Sequence, residues 1–169
     1  MMEQLSFIEK ACAFCCGIMA EMGNLLDMSY QRVNVILFCW VEPGIFIGLF
    51  LTLLWGWMHL PLRHRLAWAS LMVNTLAILV AVVLLCISTI MLLKQFHIGL
   101  EDPMSILNMN ETNPMYLKWY NDTVQTLLLV GGKLGISYAA VNLLLYVLLL
   151  PAGIILCYTG IIKNLIRHT

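Results

Sequence analysis

Apolar residues occur along this chain in long uninterrupted runs rather than in the short alternations of a soluble domain. The longest run covers residues 66–93 and contains no Asp, Glu, Lys or Arg. At about 1.5 Å per residue, its roughly 28 residues reach about 42 Å as a helix, enough to cross the hydrocarbon core of a bilayer. We predict a transmembrane helix here, with the other apolar runs packed around it.

Two further apolar runs, 33–60 and 138–162, are also long enough to span a membrane. The first is interrupted by Glu42-Pro43-Gly44, and proline lacks the amide donor that a helix interior requires. We therefore expect the helix to restart at Pro43, after a shallow or kinked lead-in over 33–41. A kink is also expected at Pro151 in the other run.

The N-terminal segment 1–30 predicts an amphipathic helix, because its apolar residues recur at alternating intervals of four and three. Its longest uncharged stretch, 11–20, is too short to cross a bilayer alone, and charged residues flank that stretch. Two placements remain open. The helix lies in the membrane interface, or it crosses as a marginal fourth helix whose charges face the bundle.

Charge placement predicts the orientation in the membrane. Arg63 and Arg65 lie in one short connector, and further basic residues lie in the C-terminal tail, so the positive-inside rule places both in the cytoplasm. The polar segment 94–123 is then an external loop, within which Asn113-Pro114 predicts a helix start. Asn110 and Asn121 match glycosylation acceptors in this loop, a pattern without meaning in a bacterium.

Composition supports the same class of protein. The chain is 62% hydrophobic and 11% charged, with a mean hydropathy of +0.90, which is too apolar for a soluble domain of 169 residues. We predict an all-α integral membrane protein with a single multipass domain, 1–169. Three clear transmembrane helices and the N-terminal helix form a four-helix-bundle-like fold. A formal net charge of zero gives no indication of nucleic-acid binding, and no internal repeat is expected.

Cysteines supply one candidate for chemistry. Cys12 and Cys15 form a CxxC pair on a helix, followed by Cys16, and such a pair can exchange electrons as a dithiol. Four-helix membrane thiol oxidases and quinone reductases are of similar size, but they carry a second cysteine pair in an external loop, and 94–123 contains no cysteine. Packing, redox chemistry and acylation are the alternatives for these thiols. We predict no metal site and no cofactor.

Two ionisable residues, Glu42 and Lys133, are placed deepest by the sequence. An intramembrane charge is a functional candidate because its desolvation is costly. The two could pair, or an unpaired Glu42 could titrate during proton or ion movement. Alternatively, Glu42 lies at the interface and accepts hydrogen bonds from the free backbone donors of a helix start.

Glycines at i and i+4 indicate close helix packing. Gly44 and Gly48 form one GxxxG pair, and Gly131 and Gly135 form another. The partner helix could belong to the same chain or to a second molecule.

In size and outline the chain resembles small bacterial immunity and phage-defence membrane subunits, and also accessory subunits of larger complexes. The resemblance implies a non-enzymatic anchor or sensor in the bacterial inner membrane, within a homo- or hetero-oligomeric complex with a cytoplasmic or membrane protein partner. The alternatives are a small ion or proton channel that uses Glu42 and a thiol redox protein that uses Cys12 and Cys15.

Overall fold

A computed structural model describes residues 6–57, 63–99 and 102–166, and within these ranges regular structure is entirely helical. Three helices are long and apolar enough to cross a membrane, Tyr30–Leu54, Ala67–Ile98 and Tyr138–Ile166. This confirms the prediction of an all-α, membrane-type fold. The α-helices are α1 (Phe7–Leu25), α2 (Tyr30–Asn34), α3 (Glu42–Trp57), α4 (Arg63–Ile98), α5 (Pro114–Leu134), α6 (Tyr138–Asn142) and α7 (Leu150–Ile166).

The first and third spans are composite helices. In the first, α2 continues through a π-helix, Val35–Val41, into α3; in the third, α6 continues through a second π-helix, Leu143–Leu149, into α7. The expectation that the first helix restarts at Pro43 is therefore wrong. The wider π turns immediately before Pro43 and Pro151 leave those prolines near the start of α3 and α7, where their missing amide donors are tolerated.

Several helices begin where a polar side chain accepts a hydrogen bond from a backbone amide of the first turn. Ser6 and Glu9 form a reciprocal capping box at the start of α1, and Ser29 and Ser137 cap α2 and α6. Asn113 caps α5 ahead of Pro114, which confirms the helix start predicted there. The polar segment 94–123 is helical at both ends, because α4 continues to Ile98 and α5 begins at Pro114. Its middle holds a short 3-10 helix, Pro103–Ile106.

The chain contains an internal repeat. Residues 7–57 and 114–166 follow one plan at a separation of 108 residues: an amphipathic helix, a tight turn, a Ser-capped helix, a seven-residue π-helix and a further α-helix. The turn residue with positive φ is Asp27 (53°) in the first repeat and Gly135 (67°) in the second. Identical residues at equivalent positions are Lys10 and Lys118, Gly23 and Gly131, Leu26 and Leu134, Ser29 and Ser137, Tyr30 and Tyr138, Val33 and Val141, Asn34 and Asn142, Leu37 and Leu145, Pro43 and Pro151, and Ile47 and Ile155.

Local geometry agrees closely between the two repeats. The amide of Met28 donates to Gly23 O at 2.8 Å, and the equivalent amide of Ile136 donates to Gly131 O at 3.0 Å. The expectation that the chain has no repeat was therefore wrong. The identical residues include a turn glycine, a cap serine and a proline, and they are dispersed among apolar positions that differ between the repeats.

The two repeats are arranged about an approximate two-fold axis. Helix α1 packs against α6, and its equivalent α5 packs against α2 in return. Close to the axis, the rings of the equivalent residues Phe38 and Tyr146 lie 4.5 Å apart between centroids. Helix α4 belongs to neither repeat and packs along α1 and α3. Ser29, Ile98 and Ser137 lie at the end of the molecule that we call the loop end.

Candidate functional site

A cleft of about 520 Å³ opens among α1, α4 and the two composite spans. Its walls are mainly aliphatic, with Leu37, Ile45, Ile78 and Leu85 among the lining residues. Glu42 lies in this cleft at the junction between the first π-helix and α3. We call this space the Glu42 cleft.

The carboxyl group of Glu42 lacks a partner for one of its two oxygens. Its Oε2 is buried and accepts no hydrogen bond from any described residue. Burying a carboxylate without a partner is costly, so a residue in this position is retained only where something offsets that cost. The alternative in which free backbone donors of a helix start satisfy Glu42 is disfavoured, because the helix is continuous through this point.

The second repeat shows that the backbone does not require an acid here. Leu150 occupies the position equivalent to Glu42, at the same transition from π-helix to α-helix and directly before the equivalent proline. One fold therefore accepts a leucine at this transition. The carboxyl group of Glu42 is thus not needed to build the local structure, and the site is a functional candidate.

The remaining polar groups of the cleft are hydroxyls. Thr75 Oγ1 donates to Leu71 O at 2.6 Å and lies 2.7 Å from Tyr158 Oη, and Thr159 Oγ1 donates to Leu156 O at 3.0 Å. These bonds satisfy the threonine donors locally. The cleft therefore presents one acid, a few hydroxyls and otherwise apolar surface.

Lys133, the other deep charge in the sequence, is exposed in the last turn of α5. Because the turn after α5 leads directly into α6, Lys133 lies at the loop end, and no ion pair joins it to Glu42. The structure therefore separates the two residues that the sequence suggested could pair.

The N-terminal cysteines all occur as free thiols on α1. Cys12 is buried, Cys15 and Cys16 are half-buried, and Tyr30 Oη donates to Cys16 Sγ at 3.2 Å. Tyr120 packs edge-on against the Tyr30 ring, with centroids 6.2 Å apart. No group of three or more possible metal ligands occurs among the described residues.

The four glycines of the two GxxxG pairs occupy different environments. A Cβ at Gly48 would lie 3.8 Å from the Asn74 side chain of α4, whereas a Cβ at Gly44 would meet nothing within 4 Å. Gly131 packs against the backbone of the turn between α5 and α6, and Gly135 ends α5 with a positive φ. Among the described residues, neither pair forms a two-glycine contact between helices, and association with a second molecule stays a prediction.

Sequence reasoning missed a polar cluster at the loop end. Glu111 accepts hydrogen bonds from Arg32 Nη2 at 2.8 Å, Arg32 Nε at 3.0 Å and Ser29 Oγ at 2.6 Å, and its side chain is 1% exposed. These donors, Arg32 first, lower the pKa of Glu111 to about 2. The cluster fastens the loop to the first span. Only Ser29, as a helix cap, could have been recognised from sequence, because Glu111 is 79 residues from Arg32.

Both possible glycosylation acceptors, Asn110 and Asn121, are exposed, the first beside this cluster and the second within α5. The connector 58–62 and Arg167 lie outside the described residues, and Arg63 and Arg65 stand in the first turn of α4. The predicted orientation therefore stays a prediction.

Fold and cleft together define a class: a helical protein with three candidate membrane spans, an internal repeat and one unpaired acid facing a cleft. No protein-family model, curated protein or solved structure matches the chain. The function is therefore argued from the geometry of the site.

Proposed function

We propose that this protein is a small, non-enzymatic membrane subunit that acts as a sensor. Its Glu42 cleft binds a membrane-dissolved amphiphile whose head group is cationic or donates a hydrogen bond. The observation that carries the proposal is the buried, unpartnered Oε2 of Glu42 in an otherwise apolar cleft.

The chemistry of the cleft supports an amphiphilic ligand. A donor or positive charge beside Oε2 would offset the cost of burying the carboxyl group, and an alkyl chain would replace lipid against the aliphatic walls. The volume of about 520 Å³ falls within the range of roughly 300–1,000 Å³ typical of small-molecule sites.

Ligand binding can be measured on the whole chain in phosphatidylcholine nanodiscs. Dodecylamine and dodecanol, each with the same spin label, serve as probes, and electron paramagnetic resonance reports the immobilised fraction. We expect Glu42→Gln to weaken binding of the amine about tenfold, the effect of losing one charge-assisted hydrogen bond. Binding of the alcohol should change much less.

Glu9→Gln is the matched control, because it removes a half-buried acid that lies outside the cleft, and glutamine can still complete the capping box. Equal amine binding by the wild type and Glu42→Gln would contradict the proposal. Far-ultraviolet circular dichroism of each variant checks that the fold is retained.

A second candidate function is proton or ion conduction, favoured by hydroxyl groups between the cleft and the end opposite the loop end. Thr52 Oγ1 and Ser70 Oγ lie 2.8 Å apart, and Asn74 Nδ2 donates to Ser70 O at 2.8 Å. Together with Thr75 and Glu42, these groups could relay protons if water joined them. Proteoliposomes loaded with a pH-sensitive dye would test this. A wild-type flux no larger than that of empty vesicles excludes conduction.

The proposed location is the bacterial inner membrane, with the Arg63 and Arg65 end in the cytoplasm. Labelling of single introduced cysteines from either side of the membrane tests this orientation. The thiol redox alternative is tested separately by Cys12→Ser and Cys15→Ser. If this alternative is right, each variant should abolish the function of the protein in the cell. Two variants that both retain that function would exclude thiol redox chemistry.

A further inference from the structure

The internal repeat exposes an uncovered surface on its second half. In the first repeat, α4 and the 3-10 helix Pro103–Ile106 cover one face of α1, where Ala20 is 2% exposed and Glu21 is 1% exposed. At the equivalent positions on α5, Leu128 is 48% exposed and Leu129 is 66% exposed. A surface that is buried in one repeat is therefore open in the other.

A cleft of about 450 Å³ lies at this uncovered surface, between α5 and the second π-helix. Its lining includes Asp122, Leu127 and Tyr146. In the first repeat the equivalents of these three residues are Phe14, Met19 and Phe38. Phe96 of α4 stacks on Phe14, and Leu85 of α4 lines the same cleft as Met19 and Phe38. The first repeat therefore shows what fits such a surface, a membrane helix running antiparallel to the span beside it.

We propose that this face of α5 and the third span binds a transmembrane helix of a different protein. The proposal rests on the subunit part of the proposed function and does not depend on ligand binding at Glu42. We call this surface the α5 docking face.

Differences between the repeats specify the chemistry of the partner helix. Where α4 places Phe96 against Phe14, the second repeat has the exposed Asp122. Lys118, one turn away, also lines the cleft but forms no ion pair with Asp122, so the free carboxylate favours a basic residue on the partner. Where Leu92 packs against Gly17, the second repeat has Gln125, whose longer side chain requires a small partner residue.

At a third position, a polar contact in the first repeat is replaced by an apolar residue in the second. Gln95 donates to Glu21 in the first repeat, but the residue equivalent to Glu21 is Leu129, which favours an apolar partner residue. The same comparison argues against α4 of a second molecule as the occupant. Its Phe96, Leu92 and Gln95 would meet Asp122, Gln125 and Leu129, and α1 of its own chain already occupies that face.

Two synthetic helices of about 28 residues, built on leucine and alanine, provide defined probes. In the first, lysine, alanine and leucine occupy the places that correspond to Phe96, Leu92 and Gln95 of α4; the second keeps the α4 residues. Each is reconstituted in phosphatidylcholine vesicles with the full chain, which carries a benzophenone amino acid at Thr126 in the docking cleft. A chain labelled at Leu79, which faces outward on α4 with 57% exposure, is the control.

We expect the first probe to crosslink at position 126 about tenfold more than the second, and neither to crosslink appreciably at position 79. Asp122→Asn should remove most of this preference, and because Asp122 is exposed, the variant should remain folded. Glu42→Gln should leave the crosslink unchanged, which separates this test from that of ligand binding. Equal crosslinking by both probes, or a dominant link to a second copy of the chain, would overturn the proposal.

Discussion

The ion pair between Arg32 and Glu111 gives a quantitative test of how the loop is held on the bundle. Glu111→Gln keeps the side-chain volume but removes the charge that faces the guanidinium. Removing one partner of a buried pair costs roughly 3–5 kcal/mol. Because the Arg32 side chain is 32% exposed, water recovers part of this loss. We expect the free energy of unfolding to fall by about 2 kcal/mol.

A double-mutant cycle isolates the interaction itself. The four chains are the wild type, Glu111→Gln, Arg32→Gln and the double variant, each unfolded with dodecyl sulfate in mixed micelles and followed by circular dichroism. We expect a coupling free energy of about 1–3 kcal/mol, the range found for groups in direct contact. A coupling below about 0.5 kcal/mol would refute the reasoning, because the two residues would then contribute independently.

The same pair predicts a pH dependence. Hydrogen bonds from Arg32, together with those from Ser29 and the Asn113 amide, hold the pKa of Glu111 at about 2, below the usual value of 4.5. As the pH falls, the unfolded chain binds this proton before the folded chain does, so the folded state loses stability. The stabilisation is complete above about pH 5 and declines towards pH 2. The difference between the wild type and Glu111→Gln should therefore shrink between pH 7 and pH 3, and a constant difference would contradict the assignment.

Three further predictions concern packing. Gly23→Ala and Gly131→Ala each place a Cβ 2.8 Å from a backbone oxygen. Each should therefore lower the free energy of unfolding by about 1–3 kcal/mol in the micelle assay. The control is Gly44→Ala, which has open space around its Cβ and should change the free energy of unfolding by less than about 0.5 kcal/mol. Tyr30→Phe removes the hydrogen bond to Cys16 and should lower the free energy of unfolding by about 0.5–1.5 kcal/mol. Maleimide should also label the Cys16 thiol faster in this variant, because the thiol has lost its hydrogen-bond partner. Leu92→Ala, at a fully buried position between α4 and α1, should cost about 2–5 kcal/mol, and an unchanged midpoint would show that α1 does not pack there.

Several parts of the fold could be predicted because their causes are local. The cap at Asn113-Pro114 depends on two adjacent residues, and the division before 138–162 depends on a short glycine-rich turn. The internal repeat could not be recognised as easily, because its identical residues are dispersed among interchangeable apolar ones. Its clearest traces in the sequence are Ser-Tyr followed by Val-Asn, once at Ser29 and once at Ser137.

The sequence by itself determined which three segments are long and apolar enough to cross a membrane. Run length and missing charge are local properties, and the free energy of transfer into hydrocarbon follows from them directly. Only the tertiary structure decided that Glu42 faces a cleft without a partner, that Lys133 lies far from it, and that Arg32 binds Glu111. Such pairings depend on the rotation, tilt and register of neighbouring helices, which packing sets and hydropathy does not encode.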